Sequence, residues 1–106
     1  MTHTANELRT KADILDSDGV TVLASAVPAG VTNLTGNSLK QAQLEAAETT
    51  HMLIFRGPDA SVLKSSGYVR ADGVLFIVDY PAPCQLPRLG MWLEVYCHVE
   101  RSGNAN

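Results

Sequence analysis

Two aspartates and a glycine near the start of the chain have the spacing that opens a calcium-binding loop. Asp16, Asp18 and Gly19 occur in the stretch "DSDG", but the later oxygen ligands and a closing glutamate at the right distance are missing. The same residue types favour tight turns, because their side chains bond nearby backbone or allow a left-handed conformation. The sequence therefore predicts a turn here and no cation site.

Two cysteines and two histidines could supply sulfur and nitrogen ligands to zinc. Cys84, Cys97, His51 and His98 lack the tight C-x-x-C or H-x-x-x-H spacing of zinc sites. Cys97 and His98 are neighbours on an expected strand, so their side chains point to opposite faces. We expect Cys97 to be a small core residue and Cys84 to be a free thiol, although a disulfide between them stays open and would be unusual in a cytosolic chain. No metal or cofactor is expected.

Motifs for nucleophilic catalysis or phosphate binding are absent from the sequence. No serine lies in a G-x-S-x-G setting, and neither cysteine has a clear charged partner nearby in the sequence. Lys64 and Ser65 lie in "GPDASVLKSSG" without the glycine that precedes the lysine of a P-loop. We expect a protein that is not an enzyme.

Hairpin signals and alternating apolar residues predict about six short strands. Strands are expected on both sides of the turn at Asp16–Gly19 and of the pair Asp72-Gly73. The stretch "THMLIFR" is apolar in both phases, which indicates a strand covered on both sides. Pro28 and Gly30 are expected to interrupt the second strand.

The last apolar stretch, "MWLEVYCHVE", alternates like a half-buried strand. The inward face is expected to hold Leu93, Val95, Cys97 and Val99. Trp92 and Tyr96 lie on the other face, where they would pack under a helix or against a neighbouring subunit. The three prolines of the preceding "PAPCQLPRLG" cannot donate to a ladder, and this stretch is expected to be an exposed connection.

One helix is expected at about residues 38–47. Ser38 and Gln41 fit a capping box. Apolar residues recur at intervals of three and four in two series, one of Leu39, Ala42 and Ala46 and one of Leu44 and Ala47. The predicted fold is mainly β: a small antiparallel β-barrel or sandwich of about six strands with one short α-helix, in a single domain over 1–106 with flexible tails at 1–7 and 101–106.

The composition is low in charge. Only 18% of the 106 residues are charged and the formal net charge is −3, against a typical charged fraction of about 25%. Contact with other protein chains, or a surface covered by uncharged polar residues, would account for this equally well. An acidic chain with scattered basic residues is also unsuited to tight nucleic-acid binding. No secretion signal or membrane span is recognisable, so a cytosolic origin is expected.

Taken in order, several short motifs resemble those of the phage head–tail joining proteins, also called head-closure, stopper or head–tail connector proteins. The motifs are Leu34-Thr35-Gly36, Gln41-Ala42, Thr50-His51…Ile54…Arg56, Gly73…Phe76…Val78 and Cys97…Glu100. The resemblance covers roughly residues 9–100.

This resemblance implies a structural virion protein of a tailed phage or prophage. Copies would form a ring below the portal, close the head after DNA packaging and provide the tail attachment surface. The implied partners are other copies, the portal or adaptor above, tail proteins below, and passing double-stranded DNA bound without sequence specificity. The implied location is the head–tail junction of the virion, after assembly from the host cytoplasm.

The subunit-interface candidates are His51, Arg56, Trp92 and Tyr96. The resemblance places His51 and Arg56 near contacts between neighbouring subunits; otherwise His51 would bond nearby backbone and Arg56 would form a surface ion pair. The segment Val31–Ser38 or the loop Gly57–Ser66 would project into the channel. A tail-terminator ring protein and a small oligonucleotide-binding β-barrel module, with Tyr68 and Arg70 or Trp92 and Tyr96 as base platforms, remain as alternatives.

Overall fold

Six strands form a closed antiparallel barrel in a computed structural model that describes residues 8–57, 63, 67–86 and 90–100. For residues 82–86 and 90 only the backbone is described. The elements are β1 (Thr10–Leu15), β2 (Val22–Asn33), α1 (Gly36–Glu45), β3 (His51–Arg56), β4 (Tyr68–Ala71), β5 (Val74–Leu86) and β6 (Gly90–Val99). The strand order around the barrel is β1-β2-β3-β6-β5-β4, and β4 returns to β1. The predicted fold class is confirmed, and it is a barrel.

The turn between β1 and β2 is organised by Asp18. Its Oδ1 accepts hydrogen bonds from the N–H groups of Val20 and Thr21, and the hydroxyl of Thr21 donates to Oδ2. The Thr21 hydroxyl, followed by these N–H groups, lowers the pKa of Asp18 below its ordinary value. The predicted turn is confirmed, and the described part of the chain contains no group of three or more potential metal-ligating side chains.

The β4–β5 hairpin has the two-residue turn that its Asp-Gly pair predicts. Both Asp72, with φ 53°, and Gly73, with φ 73°, have left-handed backbone, as a type I′ turn requires. This turn matches the twist of the flanking strands, so the pairing of Ala71 with Val74 follows directly.

Replacing Gly73 by alanine is expected to lower the unfolding free energy by about 1–2 kcal/mol, because a side chain disfavours left-handed backbone. A Cβ at this position would meet no other atom within 4 Å, so the effect would come from the backbone alone. Urea denaturation measures it, and Asp72→Asn serves as the control because asparagine tolerates the same conformation. Equal stability of Gly73→Ala and the parent protein would contradict the expectation.

Strand β2 continues through Pro28 and Gly30, contrary to the expected interruption. It pairs with β1 as far as Ala29 and with β3 from Gly30 onward, so the chain changes neighbours there. The irregularity lies earlier, at Ala26, whose φ is 54° and whose N–H donates to Asp13 Oδ1 at 3.1 Å. A bulge of this kind bends a strand at a barrel corner.

The proline-rich stretch after Tyr80 is strand, which corrects the expected exposed connection. Residues 81–86 belong to β5 and pair with β6, with Pro81 opposite Val95 and Pro83 opposite Leu93. No described strand pairs with residues 79–86 on the other side, since β4 reaches only Ile77. Prolines are tolerated in such an edge strand when the missing N–H groups lie on the unpaired side.

Two apolar clusters lie on opposite faces of β3. The barrel interior is filled by a cluster that includes Leu53, Phe55, Phe76, Val95 and Cys97, with Leu93 and Val99 packed against it, as the alternation in the last strand predicts. Outside the barrel, a second cluster lies beneath α1. Its buried members are Leu34, Ala42, Met52, Ile54 and Trp92, with Leu8, Leu39 and Tyr96 packed against them. The expectation that β3 is covered on both sides is confirmed.

Helix α1 begins at Gly36, two residues before the predicted start. Thr35 is the N-cap and makes no side-chain capping bond, so the predicted capping box of Ser38 and Gln41 is wrong. Leu44 is 85% exposed, whereas Leu39 and Ala42 pack into the cluster between α1 and the barrel.

The two segments expected to project into a channel have different outcomes. Val31–Ser38 is not a free loop, because it comprises the end of β2, the two-residue link at 34–35 and the start of α1. The loop Gly57–Ser66 lies mostly outside the described residues, but Leu63 packs against the barrel cluster. The expected tails at 1–7 and 101–106 are also outside them. Across the described ranges, no helix has the length and apolar character needed to cross a membrane.

Candidate functional site

A cavity of about 460 Å³ opens beside α1, between the end of β2 and the outer faces of β3, β5 and β6. Its polar lining residues are Thr32, Asn33, Thr35, Ser38 and Gln41. Its apolar and aromatic lining residues are Leu34, Ala42, Met52, Tyr80 and Tyr96. Among these described lining residues there is no carboxylate, imidazole or thiol. The cavity can therefore bind a group by hydrogen bonds and aromatic contact, but its walls supply no general base or metal ligand.

Two stacked tyrosines form one wall of the cavity. The rings of Tyr80 and Tyr96 are 4.7 Å apart between centroids and inclined by 15°. The hydroxyl of Tyr80 donates to the carbonyl of Ala42 at 3.2 Å, and that of Tyr96 donates to Glu94 Oε1 at 3.0 Å. Burial, with the negative charges of Glu45, Asp79 and Glu94, raises the pKa of Tyr80. The hydroxyl of Tyr80 is therefore protonated at neutral pH and can donate this bond.

A polar cluster around Asp79 lies next to this wall. Asp79 Oδ2 accepts a hydrogen bond from the hydroxyl of Thr49 at 2.7 Å, and Oδ1 bonds His98 Nδ1 at 2.9 Å. The other imidazole nitrogen of His98 lies 3.9 Å from Glu48 Oε2. The register of β5 on β6 shifts between Val78 and Tyr80, so Asp79 is the extra residue of a bulge.

Asp79 lies between Thr49 and His98 in this cluster, and this arrangement gives the cluster a structural role. The hydroxyl of Thr49 bonds the carboxylate and not the imidazole, so His98 cannot remove the proton of that hydroxyl as a general base would. Thr49 is also fully buried. The cluster instead joins the segment after α1 to β5 and β6. The sequence signal for it was a lone carboxylate, Asp79, within the apolar stretch "VLFIVDY".

The structure places His51 and Arg56 at opposite ends of β3. The Nδ1 of His51 bonds the hydroxyl of Thr50 at 2.8 Å, and its ring contacts Phe76 at 5.2 Å between centroids. Burial lowers the pKa of His51. The sequence predicts that His51 bonds nearby backbone, but the observed bond is to the side chain of Thr50. Arg56 is exposed, opposite Trp92 in the ladder, so these two candidates do not form one site.

Stability is expected to fall on acidification, in part because of His51. Its pKa in the folded protein is below the ordinary value of about 6.5, so the unfolded chain binds the proton more readily. Above about pH 6.5 His51 is neutral in both the folded and the unfolded chain, so its protonation does not affect stability. As the pH falls from there through the lower pKa of the folded protein, the unfolded chain binds the proton more readily and the unfolding free energy decreases. We expect Tm to fall more between pH 7.5 and 5.5 for the parent protein than for His51→Gln; equal falls would contradict this.

Trp92 and Tyr96 have different environments. Trp92 is 2% exposed and lies within the cluster beneath α1. The sequence predicts that it packs under a helix or against a neighbouring subunit, and the single chain shows packing under the helix. Tyr96 is only partly buried and faces the cavity. The sequence did not predict the cavity, which depends on where α1 lies.

Cys97 is the small core residue that the alternation predicts. It is buried in the barrel interior, and burial, with the charge of Asp79, raises the pKa of its thiol. It is therefore poorly suited to nucleophilic chemistry. The side chain of Cys84 lies outside the described part of the structure.

Comparisons with protein-family models, with curated proteins and with solved structures give no match for this chain. The function is therefore argued from the chain itself.

Proposed function

We propose that this chain is a structural component of the head–tail connector of a tailed phage or prophage. Copies form a ring below the portal, close the head after DNA packaging and offer a surface to the tail. The proposal rests on the resemblance of the sequence and on the placement of its motifs in the fold.

The observation that carries the proposal is the position of each motif. Leu34-Thr35-Gly36 leads directly into α1, and Gln41-Ala42 lies within it. Thr50 precedes β3, and His51 and Arg56 are the first and last residues of that strand. Gly73 lies in the hairpin turn, and Phe76 and Val78 lie in β5. The motifs thus lie in or beside successive helices and strands of the barrel, which is compatible with the proposal.

Exposed apolar side chains at separate places support assembly through more than one face. Val20 is 77% exposed and Val22 47% exposed, both near the β1–β2 turn at the start of β2. Leu44 is 85% exposed on α1, which follows the end of β2. A ring needs a head-to-tail interface, in which two different surfaces of each copy meet.

The charge balance supports a role beside DNA without tight binding. A net charge of −3 does not favour the release of counterions from phosphate that holds DNA-binding proteins in place. A channel wall that DNA must slide past has the same requirement.

The geometry weighs against Trp92 and Tyr96 as base platforms of the oligonucleotide-binding alternative. Trp92, one of its expected base platforms, is buried, and Tyr96 bonds the carboxylate of Glu94. Base stacking requires an exposed aromatic face near basic side chains. The tail-terminator alternative implies a similar size and β-rich make-up, and it differs in the assembly that the ring binds.

Incubation of the labelled chain with DNA-filled, tailless heads and with isolated tail tubes tests the proposal. We expect electron microscopy to show the label as a ring at the portal vertex of filled heads, and not on the tubes. Label on the tubes alone would favour the tail terminator. Tight, salt-dependent binding of a single-stranded oligonucleotide, with no label on either particle, would overturn the proposal.

A further inference from the structure

We propose that the cavity beside α1 binds the pyranose ring of a neutral sugar. Its volume is about 460 Å³, and small-molecule sites usually measure about 300–1,000 Å³. The side chains that line the cavity decide the class of ligand. This inference does not depend on assembly below a portal, because it concerns the chemistry of one cavity in a single copy of the chain.

The lining of the cavity carries no formal charge. None of the described residues around it is an aspartate, glutamate, lysine, arginine or histidine. A bound ion would therefore lose hydration without meeting an opposite charge at the walls, which is costly. Burial and then the negative charges of Glu45, Asp79 and Glu94 raise the pKa of Tyr80, so an anion is also disfavoured beside that residue. The cavity is thus suited to a neutral ligand.

Five side chains of the lining can both donate and accept hydrogen bonds. They are the hydroxyls of Thr32, Thr35 and Ser38 and the amides of Asn33 and Gln41. None of these five side chains forms a hydrogen bond with another described residue, so a ligand can use their donors and acceptors. Sugar hydroxyls also donate and accept, whereas an ammonium or guanidinium group only donates. A ligand rich in hydroxyls therefore matches this lining best.

The apolar part of the cavity is too small to hold an apolar ligand by itself. Leu34, Ala42 and Met52 line the cavity, but they are only 7%, 4% and 3% exposed. The rings of Tyr80 and Tyr96 are stacked on each other, so one face of each is already covered. Because hydrophobic affinity grows with the apolar area removed from water, hydrogen bonds must supply most of the binding. A pyranose ring, with several hydroxyls on a small C–H surface, has this balance.

Titration of the full chain with the methyl α-glycosides of glucose, galactose and mannose, followed by amide chemical shifts of Asn33, Gln41 and Ala42, tests the site. The comparison ligand is tetrahydropyran-2-methanol, which has the same ring and only one hydroxyl. We expect saturable shifts with at least one glycoside, at a dissociation constant of about 1–10 mM, as for a small ligand held by a few hydrogen bonds. The comparison ligand should bind at least about ten-fold more weakly. No saturable shift with any glycoside, or equal binding of the comparison ligand, would overturn the proposal.

Matched variants locate the ligand. Asn33→Leu and Gln41→Leu each remove one amide at similar side-chain size, and we expect each to weaken binding about two- to ten-fold, the usual effect of losing one hydrogen bond. Asn37→Leu is the control, because Asn37 is exposed in the first turn of α1 and does not line the cavity. If Asn37→Leu weakened binding as much as the other two, the proposed site would be wrong. Binding of heads without binding of sugar would refute this site alone, and the reverse result would refute only the connector.

Discussion

Replacing Trp92 by alanine is expected to lower the unfolding free energy by about 3–5 kcal/mol, the usual range for a large aromatic residue in a core. The indole is 2% exposed and belongs to the cluster that joins α1 to β3 and β6. Trp92 is the largest of the fully buried side chains, and the only buried residue of α1 is the small Ala42, so the indole supplies much of the volume of the cluster. Since the total stability of a domain is about 5–15 kcal/mol, this substitution would remove a large share of it.

Urea denaturation followed by circular dichroism measures this loss. Met91→Ala is the matched control, because Met91 is the neighbouring residue in β6 and is 43% exposed. We expect the control to retain most of the stability. If Trp92→Ala were as stable as Met91→Ala, the indole would not be part of the interior, and its role as a subunit contact would return.

The second large effect is expected at Asp79. Asp79→Ala should lower the unfolding free energy by about 3 kcal/mol, because it leaves the buried hydroxyl of Thr49 and the imidazole of His98 without their acceptor. The carboxylate is 10% exposed and the imidazole 18% exposed, so water replaces the lost bonds only in part. Asp79→Asn keeps one acceptor oxygen, and a smaller loss is expected.

A double-mutant cycle isolates the bond between Thr49 and Asp79 from the other contacts of Asp79. Thr49→Val alone should cost less than Asp79→Ala, and the double variant should cost less than the sum, since contacting groups couple by about 0.5–3 kcal/mol. Strict additivity would show that the bond between Thr49 and Asp79 contributes nothing. The free energies come from chemical denaturation at one pH.

Local signals in the sequence sufficed for much of the fold. Asp72-Gly73 selects its turn type by backbone preference alone, and the alternation of "MWLEVYCHVE" assigns Val95 and Cys97 to the barrel interior. Both signals act within a few residues, so no knowledge of distant partners was needed.

Other features depend on partners far along the chain. Ala26 has left-handed backbone because Asp13, on the neighbouring strand, accepts its N–H, and nothing near Ala26 in the sequence indicates this. Pro81 and Pro83 suggest a loop until β6 is known to pair with them. The start of α1 was misplaced because serine is a better cap than threonine by residue type, whereas the observed N-cap, Thr35, makes no side-chain capping bond.

The cavity and the polar cluster could not be predicted for the same reason. The hydroxyl of Tyr80 meets the carbonyl of Ala42, and Thr49 meets Asp79, in each case across about thirty or more residues of chain. Each residue alone has an ordinary local role. Only the position of α1 on the barrel brings them together, and a short helix with a narrow alanine face does not reveal that position in advance.

The outer edge of β5 has a consequence for crowded copies of this chain. Exposed sheet edges are templates on which a further strand can add, and they start fibril growth. Pro81 and Pro83 lie two residues apart on this edge. Neither has a backbone N–H, so neither can donate a hydrogen bond to an added strand. A strand added to this edge would therefore lack two hydrogen bonds, which disfavours backbone pairing between copies of this chain at this place.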